Sequence, residues 1–169
     1  METKNIIIKW GLIGGAVSII SSLVSYLLGM SDNKLMQYVG LIMILAIIVM
    51  AMFEQRSKIG NGFACFSDLF KVGLLVGLII AVFSAIWSIV YFNYIDTEFM
   101  GRLLLKTEIE LENQGLSDKD IKNAMEMTKK FMTPVYMMIM GFASTLITSG
   151  FVSLVSALVI KNNKPEILE

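Results

Sequence analysis

Four stretches of the chain contain no Asp, Glu, Lys or Arg: Trp10–Met30, Leu35–Phe53, Val72–Ile95 and Pro134–Ile160. Each is at least 19 residues long, and a helix rising ~1.5 Å per residue needs about 20 to cross a hydrocarbon core of ~30 Å. A soluble helix of that length would carry a polar stripe for solvent, and none of the four does. The pattern predicts an all-α, polytopic membrane protein. It is one membrane domain over 1–169, with transmembrane helices at 10–30, 35–53, 72–95 and 134–160. The first stretch exceeds the ~7–15-residue apolar run of a secretory signal and lacks an Ala-x-Ala-like site, so it is expected to remain as a span.

The connections carry their own signals. Gly29 ends the first helix, and Ser31, Asp32 and Asn33 offer capping oxygens for the second, predicting a tight antiparallel hairpin. After Phe53, Gly60-Asn61-Gly62 is turn chemistry, and Phe63, Phe66 and Phe70 recur at helical spacing. This predicts a short amphipathic helix lying in the headgroup region before the third span. Over 96–133 the pattern predicts an extramembrane helical hairpin. Met100, Leu103, Leu104 and Leu111 line its first helix, and Gly115 stops it. Ser117, with Asp120 three residues on, caps the second, whose apolar stripe is Ile121, Ala124, Met125, Thr128 and Phe131 or Met132. Thr133-Pro134 reads as the N-cap and first position of the last span.

Within the apolar runs the small residues are ordered. Lys9-Trp10-Gly11-Leu12-Ile13-Gly14-Gly15 returns 62 residues later as Lys71-Val72-Gly73-Leu74-Leu75-Val76-Gly77. Gly11, Gly15, Ser18, Ser22, Ser25 and Gly29 in span one, and Gly73, Gly77, Ala81, Ser84 or Ala85, and Ser88 in span three, keep intervals of three and four. Gly141, Thr145, Thr148 and Ser156 add to this in span four. Small residues let helix backbones approach closely where lipid removes the hydrophobic preference. Helices one and three are therefore expected to meet at these glycines, with span two facing more lipid. The repeat also fits a parallel internal duplication, though convergence on one packing rule accounts for it equally. Lys9 and Lys71 are expected to snorkel as interface anchors together with Phe63, Phe66 and Phe70.

Charge sets orientation and excludes chemistry. Lys4, Lys9, Arg56, Lys58, Lys71, Lys161 and Lys164 fall on one side. An equal number, Lys34, Arg102, Lys106, Lys119, Lys122, Lys129 and Lys130, fall on the other, most of these among acidic residues. The expectation is both termini cytoplasmic and the 96–133 hairpin outside, in a multi-pass protein of the plasma membrane. The 14 basic and 14 acidic residues balance, which argues against nucleic acid as a partner. Histidine is absent and Cys65 stands alone, so no zinc-type ligand set exists. The 13 methionines without such partners read as packing residues rather than a copper site. No span holds an ionisable group of the kind proton-coupled transporters use. No cofactor, metal or catalytic residue is expected, and the chain reads as a non-enzyme. Its partners are the lipid bilayer and either a second copy or another envelope membrane protein. The alternative is a handler of small solutes or lipids, using a groove between spans one, three and four.

The basic residue followed by Gly-Leu-x-x-Gly at the start, the middle loop ending in "FSDLFKVGLLVGLI", the segment "GLSDKDIKNAMEMTKKFMTP" and the closing "SGFVSLVSALVIKNNK" together resemble the domain of unknown function 4199 family. The resemblance extends over essentially the whole chain. It implies a four-helix bacterial inner-membrane protein of unassigned role, and brings no functional residues with it.

Overall fold

The computed structural model describes residues 2–31 and 33–163, which form six α-helices. They are α1 (Glu2–Leu27), α2 (Lys34–Glu54), α3 (Phe66–Val90), α4 (Phe99–Asn113), α5 (Asp118–Phe131) and α6 (Pro134–Ile160). Two helices end in a widened π turn: α2 continues through Gln55–Ile59, where Gly60 N–H donates to Gln55 O, and α3 through Tyr91–Ile95, where Asp96 N–H donates to Tyr91 O. Four helices are long and apolar enough to cross a membrane: Glu2–Leu27, Lys34–Ile59, Phe66–Ile95 and Pro134–Ile160. The chain divides into one unit holding residues up to Ser84 and from Phe142 onward, and a second holding Ala85–Gly141.

The first unit contains the core. Its turns follow local chemistry. Gly29 adopts φ +65°, a conformation that favours glycine, and Met30 N–H donates to Ser25 O at 2.8 Å, closing α1. Asn33 Oδ1 accepts from Leu35 N–H at 2.9 Å and caps α2; Asp32 lies outside the described residues. The first span begins earlier than its charge-free run because Glu2, Lys4 and Lys9 are accepted in a helical extension of α1 beyond the apolar stretch.

The buried cluster is Ile6 from α1, Ile47, Ile48, Ala51 and Met52 from α2, Leu69, Val72, Val76 and Ile80 from α3, and Ala157 and Ile160 from α6. These residues come from the start of α1 and α3 and the end of α2 and α6, so the dense packing gathers at one end of the bundle. The expectation that span two faces more lipid holds for its first half, where Leu35, Tyr38 and Ile42 are exposed; in its second half Met50 and Phe53 are exposed, while Ile47, Ile48, Ala51 and Met52 form a buried face. The reason is Met52 and its neighbours, whose flexible and branched side chains fill space left beside glycines of another helix.

No separate amphipathic helix precedes α3 among the described residues, which corrects the sequence reading. Asn61 at φ +49° and Gly62 at φ +90° turn the chain sharply. Ala64 then pairs with Asn162 in an isolated antiparallel bridge, and α3 starts at Phe66. Phe66 and Phe70 thus occupy the opening turns of the span itself, with rings 5.9 Å apart, and Phe63 stays in the connection.

The second unit contains the hairpin. Gly115 at φ +73° ends α4. Ser117 Oγ accepts from Asp120 N–H at 3.3 Å and donates to its carboxylate at 2.6 Å. Asp118 and Asp120 in the first turn of α5, with Lys129 and Lys130 in the last, complement the helix dipole. Ile121 and Met125 are buried, Ala124, Thr128 and Met132 half-buried, and Phe131 exposed. Ahead of α4, buried Asp96 accepts from Arg102 at 2.7 Å and from the Tyr91 hydroxyl at 3.3 Å. Thr133 Oγ1 accepts from Tyr136 N–H at 3.2 Å at the start of α6.

Candidate functional site: the helix seams and the polar end of the bundle

Along the first seam α1 meets α3. Gly11, Gly14 and Gly15 are buried, and each leaves a hollow that α3 fills. A Cβ added at Gly11 would lie 2.7 Å from Ile79 Cβ, and one at Gly15 would lie 2.8 Å from the Phe83 ring; at Gly14 it would overlap Ile80. Residues four apart on α1 face residues four apart on α3 in the same sense, so the two helices run parallel. Further along, Ser84 Oγ donates to Ser18 Oγ at 3.2 Å, and Ser18 Oγ donates to Gly15 O at 2.8 Å. Ser22 Oγ turns back to Ile19 O.

Along the second seam α3 meets α6. The glycines of α3 do not face α1: a Cβ at Gly73 would overlap Ser153, and one at Gly77 would overlap Ser149. Four residues forward on α3 correspond to four back on α6, an antiparallel register. The thioether of Met52 on α2 would stand 3.1 Å from the Gly73 Cβ. Ser149, Ser153 and Ala81 are buried. Ser149 and Ser153 were not among the sequence candidates. The signal that finds them is the run of small residues Ser149, Ser153 and Ala157 at intervals of four, which outranks Thr145, Thr148 and Ser156, all half-buried.

Gly141, expected to pack, is exposed, and a Cβ there would meet nothing within 4 Å. The repeated phrase therefore serves two different interfaces, and the hollows that a groove between spans one, three and four would use are occupied by Ile79, Ile80, Phe83, Ser149 and Ser153.

The polar end closes the dense half of the bundle. Glu54, at the end of α2, receives Lys9, the indole N–H of Trp10, and Lys58 at 2.8 Å; the Lys9 ammonium also stands 4.9 Å above the Trp10 ring. Lys9 is thus ion-paired although exposed, and Lys71 is exposed as well; Lys164 lies outside the described residues. Arg56 donates to Gly62 O at 2.9 Å and to Ile160 O at 3.1 Å. Ala64 and Asn162 exchange backbone hydrogen bonds at 2.9 and 3.0 Å, and Asn162 Nδ2 donates to Gly62 O. Beside this clasp opens a cleft of about 420 Å³ bordered by Gln55, Asn61, Phe63, Cys65, Asp68 and Asn162.

In the second unit a smaller cleft of about 360 Å³ is lined by interspersed charges, among them Glu108, Glu112, Lys122, Glu126 and Lys129. Opposite charges at this spacing solvate a helix pair. Among the described residues no group of three or more His, Cys, Asp or Glu side chains could share a metal ion.

Four membrane-length apolar helices joined by glycine and serine seams define a small all-helical protein of the membrane-spanning type. The chain belongs to the family described as Protein of unknown function (DUF4199), which matches residues 9–162. No curated protein and no solved structure matches it.

Proposed function

We propose that this chain is a non-enzymatic interaction module of a bacterial cell envelope, in which the helix bundle anchors and the 96–133 hairpin engages a partner. The observation that carries this is on α4 itself: Leu105 and Ile109, one turn apart, are 60% and 53% exposed beside the charged Lys106, Glu108 and Glu110. Exposed apolar residues at i, i+4 give a partner helix its footing. The filled seams support the same reading, since little is left there for a solute to occupy. The proposed orientation keeps both termini cytoplasmic, on the argument that the hairpin's basic residues sit among acids.

The test is chemical crosslinking in native membranes followed by purification of the full-length protein. Leu105→Glu with Ile109→Glu is expected to remove the crosslinked partner, whether a second copy or another membrane protein, while the bundle still purifies folded. Crosslinked species that persist unchanged in this variant sink the proposal. A reporter after residue 163 that behaves as external overturns the orientation alone.

A further inference from the structure

The order of charges along the hairpin selects the partner for its exposed apolar residues; this inference rests on the interaction-module reading above. In α4 the bases Arg102 and Lys106 come first and the acids Glu108, Glu110 and Glu112 come last. That order opposes the helix dipole, which favours anions near the N-terminus and cations near the C-terminus. α5 has the favourable order, with Asp118 and Asp120 in its first turn and Lys129 and Lys130 in its last.

Folding α5 back along α4 then sets like charges side by side. Glu108, Glu112 and Glu126 border one cleft with Asp118, and Lys122 and Lys129 there offset only part of their charge. Over 108–122 five acids stand against two lysines, whereas 98–107 and 123–131 together carry four bases against two acids. Arg102 is bound by Asp96, so the basic half of the hairpin rests on Lys106, Lys129 and Lys130, all exposed. Neither helix corrects this polarity in the other, and a surface of the reverse polarity complements it.

We propose that the partner is a second copy of this chain, docked through α4 in antiparallel register about Leu105 and Ile109. Turning one α4 end for end sets Leu105 against the partner's Ile109. It also brings the acidic half of each helix to the basic half of the other, a self-complementary two-fold contact. A parallel pair stacks acid on acid and base on base, which repels. Gly101 and Glu112, four residues before and seven after Leu105, extend the same face, and the antiparallel register makes Gly101 of one copy the neighbour of Glu112 of the other. Both positions are exposed, and a Cβ at Gly101 meets nothing within 4 Å in its own chain. So small an apolar strip gives a weak, reversible contact.

Site-directed disulfides read the register. The full-length chain with its single cysteine removed, Cys65→Ser, is produced in one membrane as two differently tagged copies, one with Gly101→Cys and one with Glu112→Cys, and oxidised with copper–phenanthroline. The mixed disulfide is expected to dominate over same-variant disulfides, because about three turns of helix, ~16 Å, separate like positions in the antiparallel pair. In ~1 M salt, where the Debye length is ~3 Å, its rate is expected to fall roughly two- to fivefold, the worth of an exposed ion pair. Same-variant disulfides at or above the mixed one, no disulfide between copies, or a mixed yield indifferent to salt overturns the second copy as partner. The interaction-module reading fails separately, through native-membrane crosslinks that persist in Leu105→Glu with Ile109→Glu. A crosslink to a different protein that this variant removes, without a mixed disulfide, overturns the second copy and leaves that reading standing.

Discussion

The seam between α1 and α3 and the seam between α3 and α6 are written in nearly the same letters, and they are built differently. On the first, glycines receive longer side chains: Gly14 meets the far Cδ1 and Cγ1 atoms of Ile80, while Gly11 and Gly15 also meet the Cβ atoms of Ile79 and Phe83. On the second, glycines receive serines, whose Cβ atoms are fixed to the backbone of α6. The contrast is sharpest between Gly14 and the glycines of α3, and it lies in what can yield. A side-chain tip can change rotamer at a cost near 0.5–1.5 kcal/mol, whereas a Cβ moves only with its helix. Close-packed membrane seams should therefore be ranked by the rigidity of the atom opposite each glycine rather than by the number of glycines.

Substitutions at four glycines and one serine probe that ranking. Gly77→Ala places a methyl against Ser149 Cβ, with Ser149 Cα 3.7 Å away, and is expected to destabilise by about 1–3 kcal/mol, as overpacking does. Thermal unfolding in a fixed detergent measures it, and Gly73→Ala, opposite Ser153, is expected to follow in the same direction. Adding Ser149→Gly to Gly77→Ala should recover most of the loss, with a coupling of roughly 0.5–3 kcal/mol in a double-mutant cycle; additive losses would break the pairing of these two positions. Gly14→Ala meets the Cδ1 and Cγ1 atoms of Ile80, which can swing aside, so a loss of about 0.5–1.5 kcal/mol is expected, and one larger than at Gly77 would invert the ranking. Gly141→Ala enters open space and should be neutral or stabilising by up to about 1 kcal/mol through helix propensity.

Much of the fold was legible because it follows from one-dimensional signals. Span four was read as 134–160 and is α6; Gly29, Asn33, Gly115, Ser117 and Thr133 stop or cap the helices as their chemistry requires. What could not be read was which face meets which neighbour. Gly73 and Gly77 look the same whether they oppose α1 or α6, and only the third dimension assigns them to Ser153 and Ser149. Ile47, Ile48, Ala51 and Met52 read as lipid-facing by composition, yet they fill the dense end because a glycine elsewhere makes room for Met52. Phe63, Phe66 and Phe70 have helical spacing, but Ala64 is held in a bridge with Asn162 and the helix starts only at Phe66, so the register between the first and the other two is broken.

The clasp at the polar end also has a place in time. Arg56 reaches the carbonyl of a residue 104 positions downstream, and Ala64 pairs with Asn162. At a synthesis rate of ~5–20 residues per second, the partners of Arg56 and Ala64 emerge on the order of 5–20 seconds later. Through that interval α1, α2 and α3 can assemble while this end of the bundle stays unlatched. Closure of the clasp therefore marks the moment when α6 has been made and seated.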